Sequence, residues 1–282
     1  MQVTSTIAEL RALLSDECAI VFVPTMGNLH EGHLDLMRLA REHGDCVVAS
    51  IFVNPLQFGP SEDFDKYPRT LEADCARLRG LVDVVFAPAA SEMYPVRQTV
   101  FVEPPPIANE LCGASRPGHF RGMATVVLKL LNIVQPQVAL FGNKDYQQLH
   151  IIRQMVLQMN LPINISGGET VRAADGLALS SRNQYLSAEE RGKAVFLYQT
   201  LQQTQQAILR GERDFERLEK QAVEALHARG WAVDYVAVRN QSDLQPASRV
   251  QDDLAQRELV ILAAARLGNT RLIDNVEVSL VD

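Results

Sequence analysis

The segment Pro24-Thr25-Met26-Gly27-Asn28-Leu29-His30-Glu31-Gly32-His33 concentrates residue types that could do chemistry. Gly27 and Gly32 let backbone and ligand approach closely. An apolar run precedes the segment and a helical pattern follows it. Backbone N–H groups at such a helix start attract phosphate. Two imidazoles there can donate hydrogen bonds to phosphate oxygens and stabilise charge that grows during phosphoryl transfer. A metal site is one rival reading, because His30 and His33 stand at i, i+3. Zinc proteases instead use HExxH, Gly32 is a poor helical residue, and no third ligand accompanies the pair. A surface loop with two incidental histidines is the bland reading. Phosphate is favoured over both.

Three further segments carry polar groups of matching use. Phe52-Val53-Asn54-Pro55-Leu56-Gln57-Phe58 and Phe141-Gly142-Asn143-Lys144-Asp145-Tyr146-Gln147-Gln148-Leu149 each follow an apolar run, and Asp175-Gly176-Leu177-Ala178-Leu179-Ser180-Ser181-Arg182-Asn183 is a polar stretch. Lys144 and Arg182 are cations that can neutralise phosphates. Ser180 and Ser181 can donate to phosphate oxygens, and Gln57 and Gln148 are amides that read both hydroxyl and carboxylate. Taken singly, either glutamine or Lys144 reads as a solvated surface residue. Asp145 either assists a nucleotide or caps the next helix. His119, beside Arg116 and Arg121, is a candidate cleft residue with no role assigned. His43, His150 and His227 are expected in helices, as structural or solvated groups.

These groups need a scaffold, and the apolar pattern supplies one. Cys18–Pro24 and Cys46–Val53 read as strands buried on both faces. Leu34, Leu36, Met37, Leu39 and Ala40 recur at helical spacing between them. The alternation continues with a helix over Leu71–Leu81, a strand over Val82–Ala87, a loop at Pro104-Pro105-Pro106, a helix through Met123–Val134, a strand at Val138–Gly142 and a helix over Tyr146–Met159. The pattern predicts an α/β fold, a Rossmann-like doubly wound parallel sheet with ligands at the carboxyl ends of its strands. Ser187-Ala188-Glu189-Glu190 is a capping box opening a long helix. A helix over Phe215–Arg229 and strands at Val233–Val238, Leu259–Ala263 and Leu272–Val276 then predict a smaller α+β C-terminal domain. The expected division is 1–174 and 175–282.

The chain has 282 residues, 27 Lys and Arg against 34 Asp and Glu, and a formal net charge of −7. That balance argues against a general nucleic-acid footprint while leaving room for a local phosphate pocket. No apolar run approaches the ~18 residues of a membrane span. The N-terminus lacks a signal pattern, so a cytoplasmic location is expected. Cys18, Cys46, Cys75 and Cys112 contain no CxxC and read as buried, reduced thiols.

The HxGH pattern after a first strand resembles nucleotidyltransferases related to class I aminoacyl-tRNA synthetases. Together with Asn54-Pro55-Leu56-Gln57, Arg116-Pro117-Gly118-His119-Phe120-Arg121-Gly122, Gly142–Leu149 and Asp175–Asn183, in that order, it resembles the pantoate–β-alanine ligase family. The likeness runs on to Leu272-Ile273-Asp274-Asn275. It implies that pantoate and ATP form pantoyl adenylate and pyrophosphate, and that β-alanine then displaces AMP. It implies ATP contacts from Met26, Gly27, Asn28, Leu29, His30, Glu31, Gly32 and His33, from Gly142, Asn143, Lys144 and Asp145, and from Val171, Leu179, Ser180, Ser181 and Arg182. His33 takes the proton-donor role, with His30, Lys144 and Arg182 beside it as catalytic groups. Gln57 and Gln148 bind pantoate, and Gln57 also lies near β-alanine. Mg²⁺ accompanying ATP, a homodimer and a C-terminal domain acting as a lid are further implications; neither nucleic acid nor membrane is an expected partner. Three positions depart from the family pattern: Asn143 and Cys112 stand where Glu is usual, and Gly168 where Pro is usual. The enzyme rival adenylylates a phosphate-bearing acceptor and would want extra cations in place of the two glutamines. The non-enzyme rival is a nucleotide-binding regulatory module, which would more readily have lost His33, Lys144 or Arg182.

Overall fold

The computed structural model describes residues 1–16, 19–60, 64–248 and 258–280. The chain divides into two compact units. The first comprises Met1–Ala108, Arg116–Asn143 and Gln148–Thr170; the second comprises Asn109–Ser115, Lys144–Gln147 and Val171–Asp282.

In chain order the elements begin with β1 (Gln2–Thr4), α1 (Ile7–Leu14), β2 (Ile20–Thr25), α2 (Glu31–Ala40) and β3 (Cys46–Ile51). Next come α3 (Leu71–Leu78), β4 (Val84–Phe86), α4 (Ala90–Met93), α5 (Cys112–Ser115) and α6 (His119–Val134). Then follow β5 (Val138–Gly142), α7 (Tyr146–Gln158) and β6 (Asn164–Gly168). The six strands form one parallel sheet in the order β1-β4-β3-β2-β5-β6. Val21 of β2 is in register with Val47 of β3 on one side and Val138 of β5 on the other. Valine, isoleucine and phenylalanine suit these central strands because both pleated faces are covered by helices. Leu34, Met37 and Ala40 of α2 bury their stripe against Val21, Val23, Val47, Ala49 and Leu140. From β2 the chain winds toward β3 and β4, then returns to lay β5 and β6 on β2's other side. The strand order therefore reverses between β2 and β5, which is where open α/β sheets bind ligands.

The second unit holds α8 (Ala188–Ala194), α9 (Phe196–Leu209), α10 (Phe215–His227) and an antiparallel sheet of β7 (Ala232–Asn240), β8 (Glu258–Leu267) and β9 (Thr270–Ser279) in that order. Leu197, Leu201 and Ile208 of α9 and Leu218, Ala222 and Leu226 of α10 share a core with Val236, Val238, Ile261 and Ala263 of the sheet.

Several boundaries differ from those the pattern predicts. The Ser187 box is present: Glu190 N donates to Ser187 Oγ at 3.2 Å and Ser187 N to Glu190 Oε2 at 2.8 Å. The helix it opens stops at Ala194, because Val195 N–H turns to Lys193 O and interrupts the ladder, so one expected helix is two. His43 lies in the turn after α2, its N–H bonded to Ala40 O, and not in a helix. β1, α1 and β6 are additions. The first predicted strand begins at Ile20; Cys18 lies outside the described residues. Cys46 and Cys112 are buried, Cys75 is half-buried, and none of the three is in a disulfide among the described residues. No helix among the described residues is long and apolar enough to cross a membrane.

Candidate active site

In the first unit the segment Met26–His33 leaves the carboxyl end of β2 and enters α2. Its two glycine-flanked turns are held tightly from within. Gly27 adopts φ +81°, and a Cβ there would lie 3.0 Å from both Asp74 Oδ2 and Ile51 Cγ2. Asp74, nearly inaccessible in α3, accepts Asn28 N–H at 2.9 Å and Leu29 N–H at 2.8 Å, and Thr70 Oγ1 donates to it at 3.0 Å. Thr25 Oγ1 accepts Gly27 N–H at 3.2 Å. The amides of Gly27, Asn28 and Leu29, which precede the helix start, thus have acceptors inside the protein.

The histidines cap the helix start. His30 is the N-cap of α2, and its Nδ1 accepts Gly32 N–H at 3.2 Å. His33 Nδ1 accepts His30 N–H, also at 3.2 Å, so the two imidazoles form a capping box. A backbone N–H can only donate. Each Nδ1 is therefore the unprotonated nitrogen, and each neutral ring carries its proton on Nε2. The ring centroids are 4.0 Å apart. Glu31 points to solvent and pairs with Arg38 at 3.2 Å and Arg77 at 3.6 Å, so its carboxylate is neutralised away from the histidines' cap. Arg77 also donates to Leu29 O, tying α3 to the loop a second time. Among the described residues no group of three or more His, Cys, Asp or Glu side chains could hold a metal ion.

Gln57 closes a 3₁₀ turn (Pro55–Gln57) that packs on α6. Its Nε2 lies 3.1 Å from Met26 Sδ, which brings a predicted acid-binding residue against the predicted nucleotide loop. The close fit depends on Gly122 of α6: a Cβ there would lie 2.0 Å from Leu56 O and 2.8 Å from Gln57 N. His119, unassigned from sequence, pins the same turn. Arg116 Nη1 can only donate to its Nε2 at 2.9 Å, so Nδ1–H donates to Gln57 O at 2.8 Å. Gly142 and Asn143 stand at the carboxyl end of β5, beside β2 in the sheet, and Gln148 is half-buried on α7. Asn143 Nδ2 donates to Glu169 Oε1 at 3.2 Å, so this side chain is directed to the segment after β6.

The second unit holds the other predicted residues. Leu179 N donates to Val171 O at 2.9 Å, closing a narrow loop that contains Asp175-Gly176. Ser180 Oγ accepts Arg182 N–H at 3.3 Å and caps the 3₁₀ turn of Ser181–Tyr185. The Asp274-Asn275 pair organises this unit's polar groups. Arg172 makes a bidentate pair with Asp274, at 2.7 and 2.8 Å, and its guanidinium lies 3.6 Å from the Tyr198 ring centroid. Asn275 Nδ2 donates to Lys144 O at 2.9 Å, fixing the backbone that carries this lysine. Cys112, one of the departures, has its sulfur 3.1 Å from Tyr235 Oη and 3.6 Å from Arg271 Nη2. Burial, followed by the neighbouring Cys112, pushes the Tyr235 phenol well above its ordinary range.

Sequence reasoning gave no role to Asp74, Asn54, Arg172 or Asp274, although Asn54 and Asp274 stand in segments that carry the resemblance. An acid followed by an amide inside the apolar run Leu272-Ile273-Asp274-Asn275-Val276 was a usable signal. Asp74 gave none, because its partners stand 45 and 46 positions upstream.

A family model described as pantoate-β-alanine ligase matches residues 2–277. The chain belongs to this family. The pantothenate synthetase of Nitrosospira multiformis is 58% identical over 280 residues, covering 99% of each chain. That of Methylobacillus flagellatus is 56% identical over 281 residues, again covering 99% of each. Among solved structures, the pantothenate synthetase of Thermus thermophilus superposes with a TM-score of 0.92 at 46% identity, covering 99% of this chain and 100% of that one. The pantoate-β-alanine ligase of Francisella tularensis, described as complexed with "beta-gamma ATP" and β-alanine, gives a TM-score of 0.78 at 35% identity over 98% of this chain and 97% of that one. As a pantoate–β-alanine ligase family member this chain is an enzyme, and its Rossmann-like sheet with a smaller antiparallel domain is the fold of those structures.

Proposed function

We propose that this ligase condenses pantoate with β-alanine in two steps at the carboxyl end of its parallel sheet, with Mg–ATP as co-substrate. The observation that carries the reading is the His30–His33 capping box, in which each Nδ1 accepts a main-chain N–H and each ring carries its proton on Nε2, on a loop at the strand-order reversal. In the first step a pantoate carboxylate oxygen attacks the α-phosphorus of ATP and pyrophosphate leaves. The attacking group is already ionised near neutral pH and needs no general base. It needs charge stabilisation on the phosphates, which Nε2–H of His30 and His33 and the cations of Lys144 and Arg182 supply. In the second step the neutral amine of β-alanine attacks the acyl carbon of the adenylate, AMP leaves with the bonding pair, and the nitrogen gives up one proton to solvent as the amide forms. Gln57 and Gln148 orient pantoate, and Gln57 also contacts β-alanine. The remaining ATP contacts are Met26 to Gly32, Gly142, Asn143, Asp145, Val171, Leu179, Ser180 and Ser181. Mg²⁺ travels with the phosphates and water, as that ion commonly does.

A homodimer in the cytoplasm belongs to the same proposal; sedimentation equilibrium tests the first part. ATP–pyrophosphate exchange tests the chemistry. It is expected with pantoate in the absence of β-alanine, and not with a phosphate-bearing acceptor or with neither acid. Exchange that strictly required β-alanine would remove the separate adenylate, and exchange with the phosphate-bearing acceptor alone would reassign the enzyme.

A further inference from the structure

Gln57 can serve pantoate only if the correct end of its amide faces the substrate, and that end is fixed by Asn54, three positions earlier, which groups distant in sequence hold in turn. Asn54 is almost fully enclosed. Its Oδ1 accepts Leu56 N–H at 3.3 Å, and its Nδ2 donates to Gly122 O at 3.2 Å. Both partners are backbone groups of fixed role, so the Asn54 amide has one allowed orientation. Tyr94 Oη lies 2.7 Å from Asn54 Oδ1, and against an amide oxygen the phenol must donate. The second hydrogen of Asn54 Nδ2 goes to Gln57 Oε1 at 3.0 Å. With Oε1 accepting from Asn54, the Gln57 amide is oriented with Nε2 toward the nucleotide loop, beside Met26 Sδ. Sulfur is a weak acceptor, so the N–H₂ group keeps donor capacity for a substrate oxygen.

We propose that Tyr94 is a positioning residue for the acid substrate: its O–H holds Asn54, and through Asn54 it holds Gln57 with N–H directed at a pantoate oxygen. This rests on the reading that Gln57 contacts pantoate. The relay makes the site select an acceptor, the carboxylate or hydroxyl oxygen of a hydroxy acid, and reject a donor at the same place. Coupled hydrogen bonds in a buried chain reinforce one another, so losing the first link loosens the last. The ring itself is fixed: Lys129 Nζ stands 4.8 Å from its centroid and donates to Gln98 Oε1 at 3.2 Å, and the Phe52 ring packs at 6.1 Å. Burial raises the phenol's pKa further above its ordinary value, so the group stays a donor throughout the enzyme's working range.

Tyr94→Phe keeps the ring and removes the O–H. In ATP–pyrophosphate exchange its kcat/KM for pantoate should fall about five- to twentyfold, mostly through KM. The KM for ATP should stay within about twofold, and the thermal midpoint within a few degrees. In a Gln57→Ala background, assayed at raised enzyme concentration, adding Tyr94→Phe should change kcat/KM for pantoate by less than about twofold, since the end of the relay is gone. A Tyr94→Phe enzyme with unchanged pantoate kinetics would overturn the proposal. So would an equal loss for ATP and pantoate, or the same loss with and without Gln57. Failure of the underlying function is separately visible, as wild-type enzyme without pantoate-dependent exchange.

Discussion

Gly122→Ala tests how far the acid site depends on one backbone approach. The new Cβ would start 2.0 Å from Leu56 O and 2.4 Å from Leu56 C, where real Cβ atoms stay beyond 3.0 Å. Helix α6 and the Pro55–Gln57 turn must therefore part by about 1 Å, and neither surface is a side chain that can swing aside. Gly122 O is also the acceptor that orients Asn54, so the same displacement lengthens that 3.2 Å bond. Overpacking of this kind costs ~1–3 kcal/mol, which is a drop in Tm of roughly 2–12 °C for a protein of this size. A 1 Å misplacement of a substrate-positioning group can cost about 10²-fold in rate. Circular dichroism melting and ATP–pyrophosphate exchange at varied pantoate should show a lowered Tm and a kcat/KM for pantoate reduced ~30- to 100-fold, within the scale of that effect. A soluble variant with wild-type Tm and pantoate kinetics would mean that α6 and the turn are looser than their packing implies, and the reasoning would fail.

Asp74→Asn removes a charge-assisted acceptor from Asn28 and Leu29, and buried bonds of that type are worth ~1.5–3 kcal/mol; the KM for ATP should rise about tenfold on that scale, and an unchanged KM would show that the nucleotide loop holds its shape without α3. Asn143→Glu should change kcat/KM for ATP less than about threefold, under ~1 kcal/mol, because the side chain is directed to Glu169, whereas Lys144→Ala should cost at least ~100-fold; comparable losses in exchange assays would redraw the segment. Asp83 gives the pH dependence. Burial alone would raise its carboxyl, but Arg41 at 2.6 and 3.0 Å and Val47 N–H at 2.8 Å outweigh it and hold the folded value low. Its contribution is therefore present above the unfolded value near ~3.9 and lost as pH falls through the folded one. Asp83→Asn should lower the urea midpoint at pH 7 and flatten its decline below about pH 4; parallel pH curves for the two proteins would contradict this.

The central strands were legible because each is a mostly apolar run covered on both faces; Val138–Gly142 was found with both ends correct. The sheet edges were not. Gln2–Thr4 is three residues long with two exposed, and Asn164–Gly168 ends in two glycines, so neither carries an apolar signature. What makes them strands is a neighbour, Val84–Phe86 for one and β5 for the other, and pairing of that range has no local trace. The site divides the same way. The places of His30, His33 and Gln57 just after apolar runs could be read, but Gln57, which taken singly reads as a solvated surface residue, is buried. Asp74, Asn54 and Asp274 act on backbone or side chains elsewhere, and only folding identifies their partners.

The capping box of α2 has a consequence for the entropy of the reaction. An exposed histidine on a mobile loop samples several rotamers, and ordering one such side chain on association costs ~0.5–1.5 kcal/mol. In this protein each Nδ1 is already bonded to a main-chain N–H of the helix start, and the two rings lie against each other. Their freedom is removed when α2 forms, along with the cost of capping it. A triphosphate bound there as proposed would meet donors whose torsions are set, with nothing of the imidazoles' disorder to freeze out again at each turnover.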